Sequence, residues 1–253
     1  MKRREFLLGS AGALVPLLGR AQSPCMPPLV AVTGGGSATT ECRAVAADRY
    51  ETEFVAAENP LSEGGIWVCG KAVGLDWNNP QSVSGRACAS VRSGASGSRY
   101  DDSIAHLSRS RVAVRANQYA QGTVYRAPGY SPTGSKHEIE LLLRFEITAH
   151  GARGYEVLWG HDGDFAIVRW NGPLGDYTAL GVNGPGPGVA VDGDVLRAEI
   201  DGNLIMVYKN GSLVGTSPPN STWTDGQPGL GFWPVDSSTP AIYGWTRFEA
   251  GSL

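Results

Sequence analysis

The chain alternates between short runs with apolar residues at every second position and turns rich in glycine, asparagine and aspartate. The clearest run covers 138–148, where apolar residues at odd positions from Ile139 to Ile147 alternate with polar ones, interrupted only by Leu142. This period predicts a half-buried β-strand, because successive side chains of a strand point to opposite faces. A helix would scatter both sets around its circumference.

Turn signals divide the remaining apolar runs into hairpins. Asp201-Gly202-Asn203 and Asn210-Gly211 separate three short runs between 194 and 214, and His161-Asp-Gly-Asp164 separates Tyr155–Trp159 from Phe165–Trp170. Asx-Gly pairs between alternating segments are the strongest short-range hairpin signal. Roughly ten or more strands with Gly-rich turns predict an all-β fold, an antiparallel two-sheet jelly-roll sandwich.

Several segments resemble the concanavalin A-like lectin/glucanase superfamily, laminin-G-like domains included. The early ones are Asp48-Arg-Tyr, Glu58-Asn-Pro-Leu61 and Trp67. The later ones are the run 193–203, Tyr208-Lys-Asn-Gly211 and Gly229-Leu-Gly-Phe232. The resemblance covers roughly residues 48–249 and implies a concanavalin A-like sandwich. The superfamily contains lectins, carbohydrate-binding modules, glycoside hydrolases and polysaccharide lyases, so it implies a glycan as partner without choosing among these activities.

The first 22 residues have the layout of an export signal. A basic head containing Arg3 and Arg4 precedes a short, weakly apolar middle and a small-residue stretch near Gln22. The arginine pair resembles the bacterial twin-arginine signal. We therefore predict a signal peptide over 1–22, a Pro/Gly/Ser-rich linker over 23–47 and the sandwich over 48–253. The product is expected to be periplasmic or extracellular, with no stable membrane insertion after cleavage.

Charge and cysteine content narrow the picture further. The chain has 21 Lys and Arg against 24 Asp and Glu, a net charge of −3, and no basic cluster remains once the leader is removed, so nucleic acid is not an expected partner. Four cysteines in an exported chain favour disulfides, and their order suggests Cys25–Cys42 and Cys69–Cys88. A zinc site is the alternative, although no Cys-x-x-Cys spacing is present.

A row of acidic residues on the polar face of 138–148 is the first candidate for catalysis. Glu138, Glu140 and Glu146 share that face, and neighbours along it are about 7 Å apart by strand rise. Paired carboxylates at such distances perform glycoside hydrolysis. The resemblance to laminarinase-like hydrolases implies a Glu-x-Asp-x-x-Glu motif here, and this sequence lacks the central Asp and the third acid at that spacing.

Aromatic residues beside amides suggest a sugar platform, because sugar C–H faces stack on indole and phenol rings. Within the sequence we select Trp77 with Asn78, and Trp170 with Arg169 and Asn171, as the binding residues. At least one of the two tryptophans is then expected to be exposed. The wider aromatic set comprises Trp159, Trp223, Trp233, Tyr130, Tyr177 and Tyr243.

Two further chemistries stay open. A polysaccharide lyase needs a Tyr or His base and an Arg to neutralise a uronate, and the chain offers His137, His150, His161, Tyr155, Arg144, Arg153 and Arg169. Asp162 and Asp164, or Asp192 and Asp194, flank a turn glycine and could hold a structural calcium. No other cofactor is expected.

The leading hypothesis is therefore an exported protein that binds a polysaccharide or other glycan through loop aromatics and a polar, concave sheet face. The alternative is a glycoside hydrolase or polysaccharide lyase that uses the glutamate-lined face. An envelope or adhesion protein that binds other proteins is the third reading.

Overall fold

The computed structural model describes residues 47–73, 77–90, 102–129, 137–149, 151–172, 175–233 and 242–253. The predicted signal peptide, the predicted linker except Ala47, and Cys25 and Cys42 lie outside the described residues, as do Tyr130 and His150. The described part of the chain contains no helix with the length and apolar character that a bilayer crossing requires.

Fifteen strands account for almost all the regular structure of the described residues, together with one 3-10 turn at Lys71–Val73. The strands are β1 (Arg49–Thr52), β2 (Trp67–Cys69), β3 (Gln81–Ser82), β4 (Ala87–Cys88), β5 (Ser103–Leu107), β6 (Gln118–Arg126), β7 (Glu138–Thr148), β8 (Gly151–Gly160), β9 (Phe165–Gly172), β10 (Tyr177–Ala179), β11 (Val195–Asp201), β12 (Leu204–Lys209), β13 (Ser212–Thr216), β14 (Gln227–Trp233) and β15 (Tyr243–Ser252).

The strands form two antiparallel sheets. Sheet A has eight strands in the order β13-β12-β11-β6-β15-β4-β3, with β1 also paired to β15. Sheet B has seven in the order β10-β9-β8-β7-β14-β5-β2. The predicted all-β, antiparallel two-sheet jelly-roll sandwich is confirmed, as are the hairpins β8–β9, β11–β12 and β12–β13 at their predicted turns.

The main hydrophobic core fills the space between the sheets. Sheet B contributes Leu141, Tyr155 and Trp159, and sheet A contributes Trp245 and Phe248, all of them buried. A second apolar cluster covers the opposite face of sheet B, which we call the outer face; its buried members are Trp77, Ile104, Leu142, Phe145, Ile147, Ala152, Val168 and Trp170. Sheet B is therefore covered by apolar side chains on both faces.

β7 has the predicted bounds, but its alternation reverses in the middle. Arg144 has a φ of 47°, and the register with β8 shifts between Leu143 and Glu146, as in a β-bulge. Leu143, before the bulge, belongs to the main core, whereas Phe145 and Ile147 belong to the outer cluster. The expectation that the odd-numbered apolar residues of β7 share one face is therefore wrong beyond Leu143.

The predicted Cys69–Cys88 disulfide is also wrong. Cys69 lies in β2 of sheet B and Cys88 in β4 of sheet A, and both are free, buried thiols. The Cys69 thiol donates to the carbonyl of Leu61 at 3.0 Å. Burial raises the pKa of Cys69 to about 12 and that of Cys88 to about 11, so both are protonated at neutral pH.

Candidate functional site

A pocket of about 330 Å³ opens on the outer face of sheet B. Four consecutive strands, β7 to β10, form its floor and one wall, and residues at the ends of β14 and β5 complete it. The lining residues are Asp102, Glu138, Glu156, Leu158, Ala166, Val168, Trp170, Tyr177, Ala179 and Trp233. This volume is at the small end of the range for ligand pockets, which suits a short segment of a chain-like ligand.

Strand alternation explains which side chains reach the pocket. In β8, Tyr155 and Val157 enter the main core, so Glu156 and Leu158 face outward. In β9, Ile167 enters the core, so the residues on either side of it face the pocket. Each of these two strands thus contributes side chains both to the main core and to the pocket.

Two glutamates are buried at the base of this face. The side chains of Glu140 and Glu156 are on neighbouring strands and are 1% and 3% exposed. Glu140 pairs in register with Leu158, which makes Glu156 its diagonal neighbour. Burial raises the pKa of Glu156 to about 7. Burial, and then the charges of Glu156, Asp102 and Glu138, raise the pKa of Glu140 well above its ordinary range.

The two carboxyl groups are held differently. Trp170 donates from its indole Nε1 to Oε2 of Glu156 at 2.7 Å, a bond that partly offsets the effect of burial on the pKa. Oε2 of Glu140 is buried, and no described residue gives it a hydrogen bond. Gly231 of β14 pairs with Glu140, and a β-carbon there would collide with that oxygen. Glycine at this position therefore makes room for the Glu140 carboxyl.

Aromatic rings form one wall of the pocket. Trp170 contacts Tyr177, with ring centroids 5.3 Å apart, and on its other side contacts Trp77 at 4.5 Å in an edge arrangement. Tyr177 is 48% exposed, the most accessible ring of this row. The indole Nε1 of Trp233 is buried and finds no acceptor within the described ranges. The pocket thus combines an accessible ring with buried polar atoms.

The two tryptophans selected from the sequence are both buried. Trp77 is 0% and Trp170 is 3% exposed, so the expectation that at least one of them is exposed is wrong. Trp170 still lines the pocket, and Trp77 supports it from behind. Asn78 is also buried, and its backbone bridges to β5 through a hydrogen bond from its N–H to the carbonyl of Asp102 at 2.8 Å.

Arg169 and Asn171 are not brought to the pocket. They alternate with Trp170 along β9 and therefore lie on its opposite face. The guanidinium of Arg169 donates to Asn171 Oδ1 at 2.8 Å and to the Thr222 hydroxyl at 2.8 Å. The bond to Thr222 joins β9 to the 217–226 segment, and the predicted grouping of the two residues with Trp170 is not observed.

The predicted acidic row is split by the β7 bulge. Glu138 lines the pocket and Glu140 lies beside it, whereas Glu146 lies beyond Arg144 and forms an ion pair with Arg153. Arg153 also reaches Asp225 at 3.4 Å. The grouping of all three glutamates on one face is therefore wrong. The carboxyl that lies beside Glu140 from the neighbouring strand is that of Glu156.

The arginine and histidine side chains considered for lyase chemistry make contacts within the fold. Arg144 is 2% exposed and donates to the carbonyls of Ala116 and Gly202, each at 2.8 Å, and of Trp223 at 3.1 Å. The rings of His137 and His161 contact each other, and the backbone N–H of His137 donates to Nδ1 of His161 at 2.9 Å. None of these side chains lines the described part of the pocket.

Asp162 and Asp164, the predicted calcium ligands, form the β8–β9 turn. Oδ1 of Asp162 accepts from the N–H of Asp164 at 3.1 Å, which is ordinary turn chemistry. Asp194 likewise accepts from the N–H of Val191 at 2.8 Å. Over the described ranges no group of three or more His, Cys, Asp or Glu is arranged to hold a metal ion. Calcium binding stays a prediction.

Sequence reasoning missed Glu156 and Asp102. Glu156 occupies an outward position in a strand whose inward residues are Tyr155, Val157 and Trp159, so the same alternation that identified β7 could have placed it on the polar face, although not beside Glu140. Asp102 directly precedes β5 and carries no comparable signal.

No family model matches this chain. No curated protein matches either. Among solved structures it is similar to a carbohydrate-binding module, CBM66 from Bacillus subtilis, with 15% identity over 76% of this chain and 99% of the other and a TM-score of 0.47. A β-glucanase from Bacillus licheniformis has 10% identity over 81% and 94% of the two chains, with a TM-score of 0.45.

Sheep galectin-11 has 12% identity over 60% and 96% of the two chains, with a TM-score of 0.38. With identities of 15% or less and TM-scores below 0.5, none of these likenesses bears on what this chain binds. That question depends on the pocket itself.

Proposed function

We propose that the protein binds a glycan in the pocket on the outer face of sheet B. The observation that carries the proposal is the combination of the accessible Tyr177 ring with the carboxyls of Glu138 and Glu156 in the lining of the same pocket. A sugar presents an apolar C–H face that stacks on an aromatic ring, and hydroxyls that donate to carboxylate oxygens. The pocket offers both kinds of partner within one cavity.

Tyr177 is the side chain that tests this proposal most cleanly. Its exposed ring contributes little to the core, so a Tyr177→Ala variant should fold normally and lose affinity for the glycan. Retention of each variant in gels containing dissolved polysaccharides measures that loss. Tyr208 lies on the face of sheet A that points away from the main core, so Tyr208→Ala is the matched control and should behave like the unaltered protein. Equal retention of all three proteins would refute the assignment of the site.

A second candidate function is glycoside hydrolysis, and the raised pKa of Glu156, about 7, favours it. A general acid works best when its pKa lies near the working pH, and Glu138 in the same pocket would be the partner carboxylate. Release of reducing ends from polysaccharides that bind, abolished in Glu156→Gln, would establish this activity. Binding without release of reducing ends would leave the protein as a binder.

We also propose that the protein acts outside the cytoplasm. The support is the arginine pair and small-residue stretch of residues 1–22. N-terminal sequencing of the protein recovered from a bacterial host tests this: a chain beginning near Gln22 in the periplasm or medium agrees with it, and an intact leader on a cytoplasmic product contradicts it.

A further inference from the structure

We infer that this pocket selects a polysaccharide whose sugar units carry free primary amines, such as a deacetylated amino-sugar polymer. The inference rests on the proposed function and names the class of glycan. Neutral sugars, uronates and amino sugars present different charges to the same cavity, so the charge of the pocket decides among them.

The pocket brings several carboxyl groups into mutual influence. Glu138, Glu156 and Asp102 line it, and Glu140, beside it, is close enough for the charges of all three to act on its carboxyl. Every charged side chain among the described lining residues is acidic. An acidic group of this kind is costly to ionise, because each new negative charge adds repulsion in a desolvated site.

Polar atoms of the acidic group have unused hydrogen-bonding capacity. Oε2 of Glu140 is buried, and the described residues offer it no hydrogen-bond partner. Glu156 lines the pocket and receives one hydrogen bond, from Trp170, and no other hydrogen bond to it is found in the described part of the chain. A buried carboxyl normally has its oxygens satisfied. Glu156 therefore has acceptor capacity for a ligand donor in the pocket, and Glu140 adds an unsatisfied carboxyl beside it.

An ammonium group fits these acceptors better than a hydroxyl does. It brings three N–H donors and a positive charge that offsets the repulsion among the carboxylates. The neighbouring Tyr177 ring favours a cation as well as a sugar C–H face. A uronate would add another negative charge to the group, and an N-acetyl sugar would lack the compensating charge.

The preference should depend on pH because protons and the ligand amine compete for the same carboxyls. The groups that face Glu156 are Glu138 and Glu140 from β7, Asp102 before β5, and Trp170 and Tyr177 from β9 and β10. Below neutral pH a proton neutralises Glu156, and above it the carboxylate is available to an ammonium. Affinity for the amine should therefore rise with pH as Glu156 ionises, and fall again once the ligand amine loses its proton, so that binding is tightest where both charges coexist.

Calorimetric titration with three matched oligosaccharides tests the inference: a glucosamine oligomer, its N-acetylated counterpart and an oligogalacturonate. We expect the amine-bearing oligomer to bind at least about tenfold more tightly than the acetylated one at the pH of its tightest binding, as a charge-assisted hydrogen bond implies. Glu156→Gln should reduce that preference. Glu53→Gln, an exposed carboxylate elsewhere, should leave it unchanged and so excludes a general effect of net charge.

The outcomes separate this inference from the proposed function. Equal or tighter binding of the acetylated oligomer or the oligogalacturonate, weakened by Tyr177→Ala, would overturn the amine preference and keep the glycan site. Binding of none of the three oligomers, and no retention by any polysaccharide, would overturn both. Thermal unfolding of each variant confirms that it is folded before titration.

Discussion

Ionisation of Glu156 should make the protein less stable as pH rises through neutrality. The folded state raises the pKa of this buried carboxyl from 4.5 to about 7. Glu156 therefore contributes fully to stability below pH 4.5, where it is protonated in both states, and this contribution is lost as pH rises through 7. Since each pKa unit corresponds to about 1.4 kcal/mol, the loss is about 3 kcal/mol between pH 4.5 and pH 8.

Urea unfolding at intervals between pH 4.5 and 8 measures this loss. Glu156→Gln keeps an oxygen that can accept the Trp170 indole N–H and removes the titration, so its unfolding free energy should fall less over the same range. Glu140→Gln/Glu156→Gln should fall least, because Glu140 also has a raised pKa. Exposed Glu53→Gln should follow the unaltered protein. Parallel curves for the unaltered protein and Glu156→Gln would refute the burial argument.

Further predictions concern the framework around the pocket. Gly231→Ala should lower the unfolding free energy by about 1–3 kcal/mol, because the added methyl group would overpack against Glu140. The same substitution should cost less in a Glu140→Ala background. Strictly additive effects of the two substitutions would contradict the contact between Gly231 and the Glu140 carboxyl. Arg144→Lys should lower stability nearly as much as Arg144→Met, because one ammonium does not reproduce the guanidinium's bonds to three carbonyls; full rescue by lysine would contradict this. Cys69 and Cys88 should resist thiol reagents until the protein unfolds, and peptide mapping that recovers them as one disulfide-linked pair would contradict the fold.

The sandwich could be predicted because its signals are local. Alternation in β7 and the Asn210-Gly211 turn each follow from a few adjacent residues, and Asn210 and Gly211 both adopt the positive φ that such a turn requires, 51° and 79°. The bulge could not be predicted, because a positive φ at an arginine is stabilised by tertiary bonds to distant loops. The sequence near Arg144 does not indicate those bonds.

The candidate site was only partly predictable for the same reason. Glu138 and Glu140 could be identified from one strand, but their association with Glu156 depends on the β7–β8 register. The burial of Trp77 and Trp170 results from a second apolar layer on the outer face of sheet B, whereas amphipathic alternation predicts one buried face per sheet. Tyr177 is accessible only because β10 lies at the edge of that sheet.

The most direct test of the glycan site is an NMR titration that follows the tryptophan indole N–H signals, assigned by single substitutions, while an amine-bearing oligosaccharide is added. Binding in this pocket should give saturable shifts of the Trp170 and Trp233 signals, which belong to the pocket, and little change of Trp245, which is buried between the sheets. Shifts confined to tryptophans outside the pocket, such as Trp67 or Trp245, with Trp170 and Trp233 unmoved, would contradict it.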